Sequence, residues 1–150
     1  MDHTDQQILA ILEQDARVSM TQLGKYVGLT QPAVTERVKR LEEKGVIKEF
    51  RAIISPEKIG KSATAYILFK TEKCTPFLEF CRSAPEVIEC YRISGEYNYM
   101  LKVVSDSTAS IEEFGNQCDL WGHYMILLVM SAPIEFSGLI SSLQTENLLV

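Results

Sequence analysis

The chain has 150 residues, 15 Lys+Arg against 20 Asp+Glu for a net charge of −5, with 46% hydrophobic and 23% charged residues. That apolar content excludes intrinsic disorder, and the length suits one medium domain or two small ones. The longest apolar run, Met125 to Met130, excludes a membrane-spanning helix, which needs roughly 20 such residues. The opening residues, with Asp2, Asp5, Glu13 and Asp15, lack the basic region of a secretory signal. A cytoplasmic protein with no membrane partner is the expectation.

In chain order, residues 5–15 read as a helix, with Ile8, Leu9, Ile11 and Leu12 close to a 3.6 period. Thr4 or Asp5 is its expected cap. Ser19 caps the next helix, Met20 to Val27, and Gly28 fits the left-handed position that ends it. Leu29 plugs the corner. Thr30 is a third cap candidate, and Pro32 falls in the first turn, where its missing N–H costs nothing. The third helix runs to about Lys44 and stops at Gly45. Val46 to Ile54 has strand-like composition, without the Asn-Gly or Asp-Gly of a tight hairpin. Ser55-Pro56 and Gly60-Lys61-Ser62 read as a hinge. Ala63 to Thr71 is a strand candidate. Thr75-Pro76 opens a helix with Phe77, Leu78 and Cys81 inward, closed by Pro85. Val87 to Ser94 and Tyr97 to Val104 pair as a hairpin across Gly95-Glu96. Asp106 or Ser107 caps a helix with Ile111 and Phe114 inward, and Tyr124 to Ala132 is a last, nearly all-apolar strand. The order β-α-β-β-α-β is the ferredoxin-like unit, giving an α+β protein. Its two helices cover one sheet face. Strands apolar on both faces require a cover for the other, for which a second copy of the chain is the simplest candidate.

The expected division is a helix-turn-helix domain over 1–54, a hinge over 55–62, a ferredoxin-like effector and oligomerisation domain over 63–135, and a tail over 136–150. The tail, rich in Leu and Ile from Ser137 to Val150, reads as a short helix and docking segment, against what is not readable. Charge divides similarly. Residues 1–61 hold ten of the fifteen basic and nine of the twenty acidic residues, whereas 62–150 hold five and eleven.

Three short helices with a glycine-containing turn between the second and third have the spacing of a helix-turn-helix. On the third, Val34, Val38 and Leu41 form a core-facing stripe, while Pro32, Glu36, Lys39 and Arg40 lie opposite. Any surface helix shows such a pattern. The helix–glycine–helix spacing and the lopsided charge favour DNA. Cys74, Cys81, Cys90 and Cys118 form no C-x-x-C pair and no ligand-like spacing to His3 or His123. They read as buried or neutral thiols, with a redox or metal role as the competing reading. No metal and no cofactor is expected.

Asp2-x-x-Asp5-x-x-Ile8-Leu9, Asp15-Ala16-Arg17-Val18-Ser19, Leu23-Gly24, Val27-Gly28-Leu29-Thr30 and the run Val34 to Ile47 resemble the Lrp/AsnC family of transcription regulators. Ser94-Gly95-Glu96-Tyr97-Asn98-Tyr99-Met100-Leu101-Lys102-Val103 resembles its effector-region segment. The resemblance covers residues 2 to about 132. It implies a DNA-binding helix-turn-helix joined to a ferredoxin-like regulatory domain, in dimers that assemble further and in many members bind amino acids between dimers. Two features depart from it. Asn98 stands where the family usually has Asp, and Trp121-Gly122-His123-Tyr124-Met125-Ile126-Leu127 replaces a threonine-rich stretch, leaving fewer small polar groups for an amino acid's charges.

The leading expectation is therefore a sequence-specific regulator of double-stranded DNA, acting as a homodimer, tetramer or octamer. The helix starting after Thr30 lies in the major groove. Gln31, Pro32, Thr35, Glu36 and Lys39 are the candidates for base edges, with glutamine suited to adenine and Glu36 to cytosine. Arg37, Arg40 and Lys44, with Arg51, are candidates for phosphates. Arg37 has a rival role as partner of Glu13 or Asp15, and Lys44 with Glu43 has one as a solvated face. Gly95, Glu96, Tyr97, Asn98 and Tyr99 are the effector candidates, with an amino acid as the effector class and a packed hairpin turn as the plain alternative. The competing class is a small-molecule sensor or oligomerisation module with a vestigial helix-turn-helix. Catalysis is not expected, since no G-x-S-x-G, H-E-x-x-H or phosphate-cradling glycine loop is present.

Overall fold

The computed structural model describes residues 1–140. They form two compact units, Met1–Ala52 with the described residues from Ile134, and Ile53–Pro133.

The first unit holds α1 (His3–Gln14), α2 (Met20–Tyr26) and α3 (Gln31–Glu43). Helices this short are marginal alone and depend on their shared core. That core is Ile8, Leu9, Leu12, Leu23, Val34, Val38 and Leu41. Helix α1 starts earlier than its apolar period indicates, because Asp2, not Thr4 or Asp5, is the cap. The Asp2 carboxylate accepts from the Asp5 N–H at 2.9 Å, and the Asp5 carboxylate accepts from the Asp2 N–H at 3.1 Å. This reciprocal capping box satisfies two otherwise orphaned donors. Ser19 caps α2 by accepting from the Gln22 N–H at 3.2 Å. Gly28 and Gly45 both take φ of +68°, the left-handed conformation that closes α2 and α3.

Residues 46–54 form no strand. Their β-branched and aromatic composition fits a pleated surface, but the first unit, to which residues 46–52 belong, offers no strand among its described residues to pair with. Phe50, Ile53 and Ile54 are exposed. Farther on, the Glu13 carboxylate accepts from the backbone N–H groups of Leu139 and Ile140 at 2.9 and 3.0 Å, which holds the end of the described chain to α1. Most of the expected tail helix, residues 141–150, lies outside the described residues.

The second unit carries β1 (Ala63–Lys70), α4 (Cys74–Ser83), β2 (Val87–Arg92), β3 (Tyr99–Ser105), α5 (Thr108–Cys118) and β4 (His123–Leu128). Its antiparallel sheet has the order β2-β3-β1-β4. Alternation along β1 sends Ala63, Ala65, Ile67 and Phe69 to the face covered by α4 and α5. There Phe69 stacks on Phe77 with ring centroids 4.1 Å apart. Ser107 caps α5, accepting from the Ser110 N–H, and Ile111 and Phe114 face inward. Gly115 lets β4 close against this helix, since a Cβ there would meet the Ile126 side chain at 2.8 Å. The opposite face presents Tyr66 and Leu68. Leu68 is opposed by Met100 and Met125, and Tyr66 by Lys102 and Leu127. No described helix is long and apolar enough to cross a membrane.

Candidate nucleic-acid interface

The turn that sets α3 against α2 depends on Gly24. A Cβ there would sit 2.7 Å from the Leu29 carbonyl oxygen and 3.5 Å from the Val34 side chain. Its own carbonyl accepts from the Leu29 N–H at 2.8 Å, so turn and helix are fastened at one point. Thr30 takes an extended conformation as the cap of α3 but makes no side-chain capping bond. Pro32 stands in the first turn. Val34 is fully buried, and Val38 and Leu41 nearly so. With these three inside, Gln31, Pro32, Thr35, Glu36, Lys39, Arg40 and Lys44 are all exposed. The polar face is continuous. Its side chains are only lightly committed: the Thr35 hydroxyl donates to the Gln31 carbonyl at 2.8 Å, and Lys39 lies 3.6 Å from Glu43 across an exposed pair. Exposed i,i+4 pairs of this kind contribute roughly 0.3–0.5 kcal/mol, little resistance to exchanging Glu43 for a nucleic-acid partner.

Arg37 differs from its neighbours. Its guanidinium donates to the Asp2 and Asp5 carboxylates at 2.7 Å each. The partners are these two, not Glu13 or Asp15. They are 35 and 32 residues away in sequence, so helical spacing alone could not reveal them. The Asp5 backbone N–H and then Arg37 hold the Asp2 carboxyl below the usual carboxylate range. Partial burial pushes Asp5 up, but the Asp2 N–H and Arg37 outweigh it and its carboxyl is also lowered. Both carboxylates in turn raise the Arg37 pKa. The capping box of α1 is thus also a socket for a side chain of α3.

In the second unit the segment after β2 is an exposed turn with Gly95 at φ +119°. Gly95 and Glu96 are exposed and Tyr97 half-buried, whereas Tyr99 is 3% exposed and packs its ring on Phe77. The Asn98 amide is committed. Its Oδ1 accepts from the Thr71 N–H at 3.0 Å and its Nδ2 donates to the Thr71 carbonyl at 2.7 Å. The Thr71 hydroxyl donates to the Trp121 carbonyl at 2.6 Å. Asn98 therefore locks the ends of β1 and β3 together, a role invisible in the sequence because Thr71 is 27 residues away. The described residues contain no cluster of three or more metal-ligating side chains.

Comparison with known proteins places both units. The family model of the AsnC-type helix-turn-helix domain matches residues 1–42, and that of the Lrp/AsnC ligand binding domain matches residues 64–136. The chain belongs to the Lrp/AsnC family. It is 42% identical over 132 residues to the HTH-type transcriptional regulator YezC of Bacillus subtilis, covering 88% of this chain and 95% of that protein. It is 34% identical over 119 residues to the DNA-binding transcriptional activator DecR of Escherichia coli, covering 76% of this chain and 78% of that one. The solved structure of Bacillus subtilis LrpC superposes with a TM-score of 0.85 at 29% identity, covering 91% of this chain and 99% of LrpC. The Lrp/AsnC protein described here is accordingly a helix-turn-helix transcriptional regulator with a ligand-binding domain carboxyl-terminal to its DNA-binding one.

Proposed function

We propose that α3 enters the major groove of double-stranded DNA and reads it through Gln31, Pro32, Thr35, Glu36 and Lys39. Arg40 and Lys44 contact phosphates from the same exposed face, and Thr30 stands at the amino-terminal end of the helix. The observation that carries this reading is the continuous exposure of that face once Val34, Val38 and Leu41 are buried. Glutamine presents a donor and an acceptor to adenine, and the Glu36 carboxylate accepts from the cytosine amino group. Arg37 acts differently from its first expectation, as a positioning residue that ties α3 to the start of α1 through Asp2 and Asp5. One copy supplies few phosphate contacts. Two copies double them and set half-sites about one helical turn apart. The apolar sheet face of Tyr66, Leu68, Met125 and Leu127 supports pairing of two chains, because a soluble protein gains by burying such a patch.

Effector control, with an amino acid as the ligand class, acts in this reading at the segment Gly95 to Tyr99. One fold relative, a Neisseria meningitidis regulator at 24% identity and TM-score 0.85, was solved in complex with L-methionine. Gly95, Glu96 and Tyr97 are the accessible members here. Asn98 and Tyr99 act by holding the turn to the sheet. A ligand there shifts DNA binding only through unequal affinity for two arrangements of the assembly. The test is fluorescence anisotropy with a fragment from the DNA flanking the protein's own gene, at several salt concentrations. Tight binding that weakens steeply with salt supports the regulator. Indifference to that fragment and to unrelated DNA alike would favour the sensor with a vestigial helix-turn-helix.

A further inference from the structure

Cys81 and Cys90, unremarkable in sequence, converge in the fold. Cys81 lies in the last turns of α4 and is buried, while Cys90 lies on β2 and is exposed. In register Cys90 pairs with Leu101, whose side chain is fully buried beneath the helices. Cys90 therefore points to the helix-covered side of the sheet, toward α4. Both cysteines line one groove of about 310 Å³ between α4 and β2, together with Arg82 and Glu89. The two thiols are near enough to influence each other's titration. Among the described residues strand β2 is a sheet edge paired with β3 alone, and its register is irregular between Val87 and Glu89, close to Cys90. The edge strand can thus adjust where a short bridge would require it.

We propose that Cys81 and Cys90 are an oxidisable thiol pair that closes to an intramolecular disulfide in the presence of a peroxide. The exposed Cys90 reacts first. Its sulfur, as thiolate, attacks one oxygen of hydrogen peroxide and the O–O bond breaks. The departing hydroxide takes the thiol proton and leaves as water, and Cys90 is a sulfenic acid. The Cys81 sulfur then attacks the Cys90 sulfur, the S–O bond breaks, and the second hydroxide leaves as water with the Cys81 proton. Two thiols lose two electrons and one peroxide gains them. The environments set this order. Exposure presents Cys90 to the oxidant, although burial of its sulfur raises the thiol on balance, an effect that the Cys81 thiol and the Arg82 guanidinium only partly offset. Burial pushes the Cys81 thiol up to about 12, so it persists as a thiol until a sulfenic acid forms beside it. Cys118 is fully buried with its thiol likewise pushed up to about 12, and the Cys74 thiol donates to the Thr71 carbonyl. Neither is presented to an oxidant as Cys90 is.

The test uses the full reduced chain, treated with excess hydrogen peroxide, alkylated, and cut with trypsin. Cleavage after Lys73, Arg82 and Arg92 puts Cys81 in peptide 74–82 and Cys90 in peptide 83–92. The expected product is these two peptides joined, with fragmentation placing the bond at Cys81 rather than Cys74. Free thiols fall from four to two, and dithiothreitol restores them. Cys90→Ser, at an exposed site, abolishes the product and leaves Cys81 alkylatable. Cys81→Ser leaves Cys90 as a sulfenic acid captured by dimedone. Any of four results overturns the proposal: all thiols still alkylatable, a Cys74–Cys90 bridge, bridges between chains, or Cys90 over-oxidised beside a free Cys81. None depends on the DNA-binding reading.

Discussion

Replacing Gly24 with alanine sets two opposed effects against each other. In a helix interior, alanine is favoured over glycine by about 0.8–1 kcal/mol. Against that, the new Cβ would stand 2.7 Å from the Leu29 carbonyl oxygen, a backbone atom, where unstrained contacts to carbon need about 3.5 Å. Leu29 cannot swing away cheaply, because its N–H is bonded to the Gly24 carbonyl at 2.8 Å. Overpacking of this kind typically costs about 1–3 kcal/mol. The balance is a net destabilisation of about 1 kcal/mol, up to about 2 if the turn cannot relax. In a unit this small that lowers Tm by about 4–8 °C per kcal/mol. Thermal melting followed by far-ultraviolet circular dichroism, at fixed protein concentration because association raises Tm, is the assay. Gly28→Ala is the contrast. Nothing lies within 4 Å of its Cβ, and only its φ of +68° resists, at about 1–2 kcal/mol. The two variants should differ in DNA binding, because only Gly24→Ala pushes the start of α3 outward. A Gly24→Ala chain that melts at or above the parent would mean that α2 and the turn do not approach as described.

Lys39→Ala should weaken DNA binding without moving Tm, and should reduce the salt slope by about 1 if Lys39 reaches a phosphate; anisotropy titrations at several salt concentrations read both. The lowered carboxyls of Asp2 and Asp5 bind fewer protons folded than unfolded. Their stabilisation is therefore fully present above the ordinary carboxylate pKa of about 3.9 and is lost as pH falls through the lower folded values. Acid titration of the melting temperature should show this loss in the parent and a flatter profile in an Asp2→Asn, Asp5→Asn double variant. Asn98→Asp removes the amide that donates to the Thr71 carbonyl and sets a carboxylate oxygen against it. The expected cost is about 1–3 kcal/mol at neutral pH, measured by denaturant unfolding. If the open sheet face pairs two chains, sedimentation velocity should show a dimer for the parent and the 16.9 kDa chain for Leu127→Lys.

The elements that were legible in the sequence are those whose signals are local. Ser19, Gly28, Gly45 and Ser107 announce their helix ends because capping chemistry acts within a few residues. The stripe of Val34, Val38 and Leu41 announced which side of α3 is free. The alternating strands around Gly95 announced the hairpin, and with it the ferredoxin-like order. What was not legible required contacts distant in sequence. The Asp2–Asp5 capping box was a local signal that the apolar period alone overlooked, whereas the Arg37 that joins both carboxylates comes from 35 and 32 residues away. Asn98 stood out in the sequence as a donor and acceptor, but its bonds to Thr71, 27 residues away, could not be read there. Residues 46–54 have strand composition but form none, because pairing belongs to the neighbourhood and not to the segment. Cys81 and Cys90, nine positions apart without a metal-like spacing, meet only because α4 folds back over β2.

The most direct measurement of the central claim is selection of bound sequences from a random DNA library by the parent and by Glu36→Ala. If the outward face of α3 reads base edges, the two sequence preferences should agree except at one base pair per half-site, where the variant loses its preference for cytosine. Identical preferences, with affinity alone changed or nothing changed, would place the reading surface elsewhere on the protein.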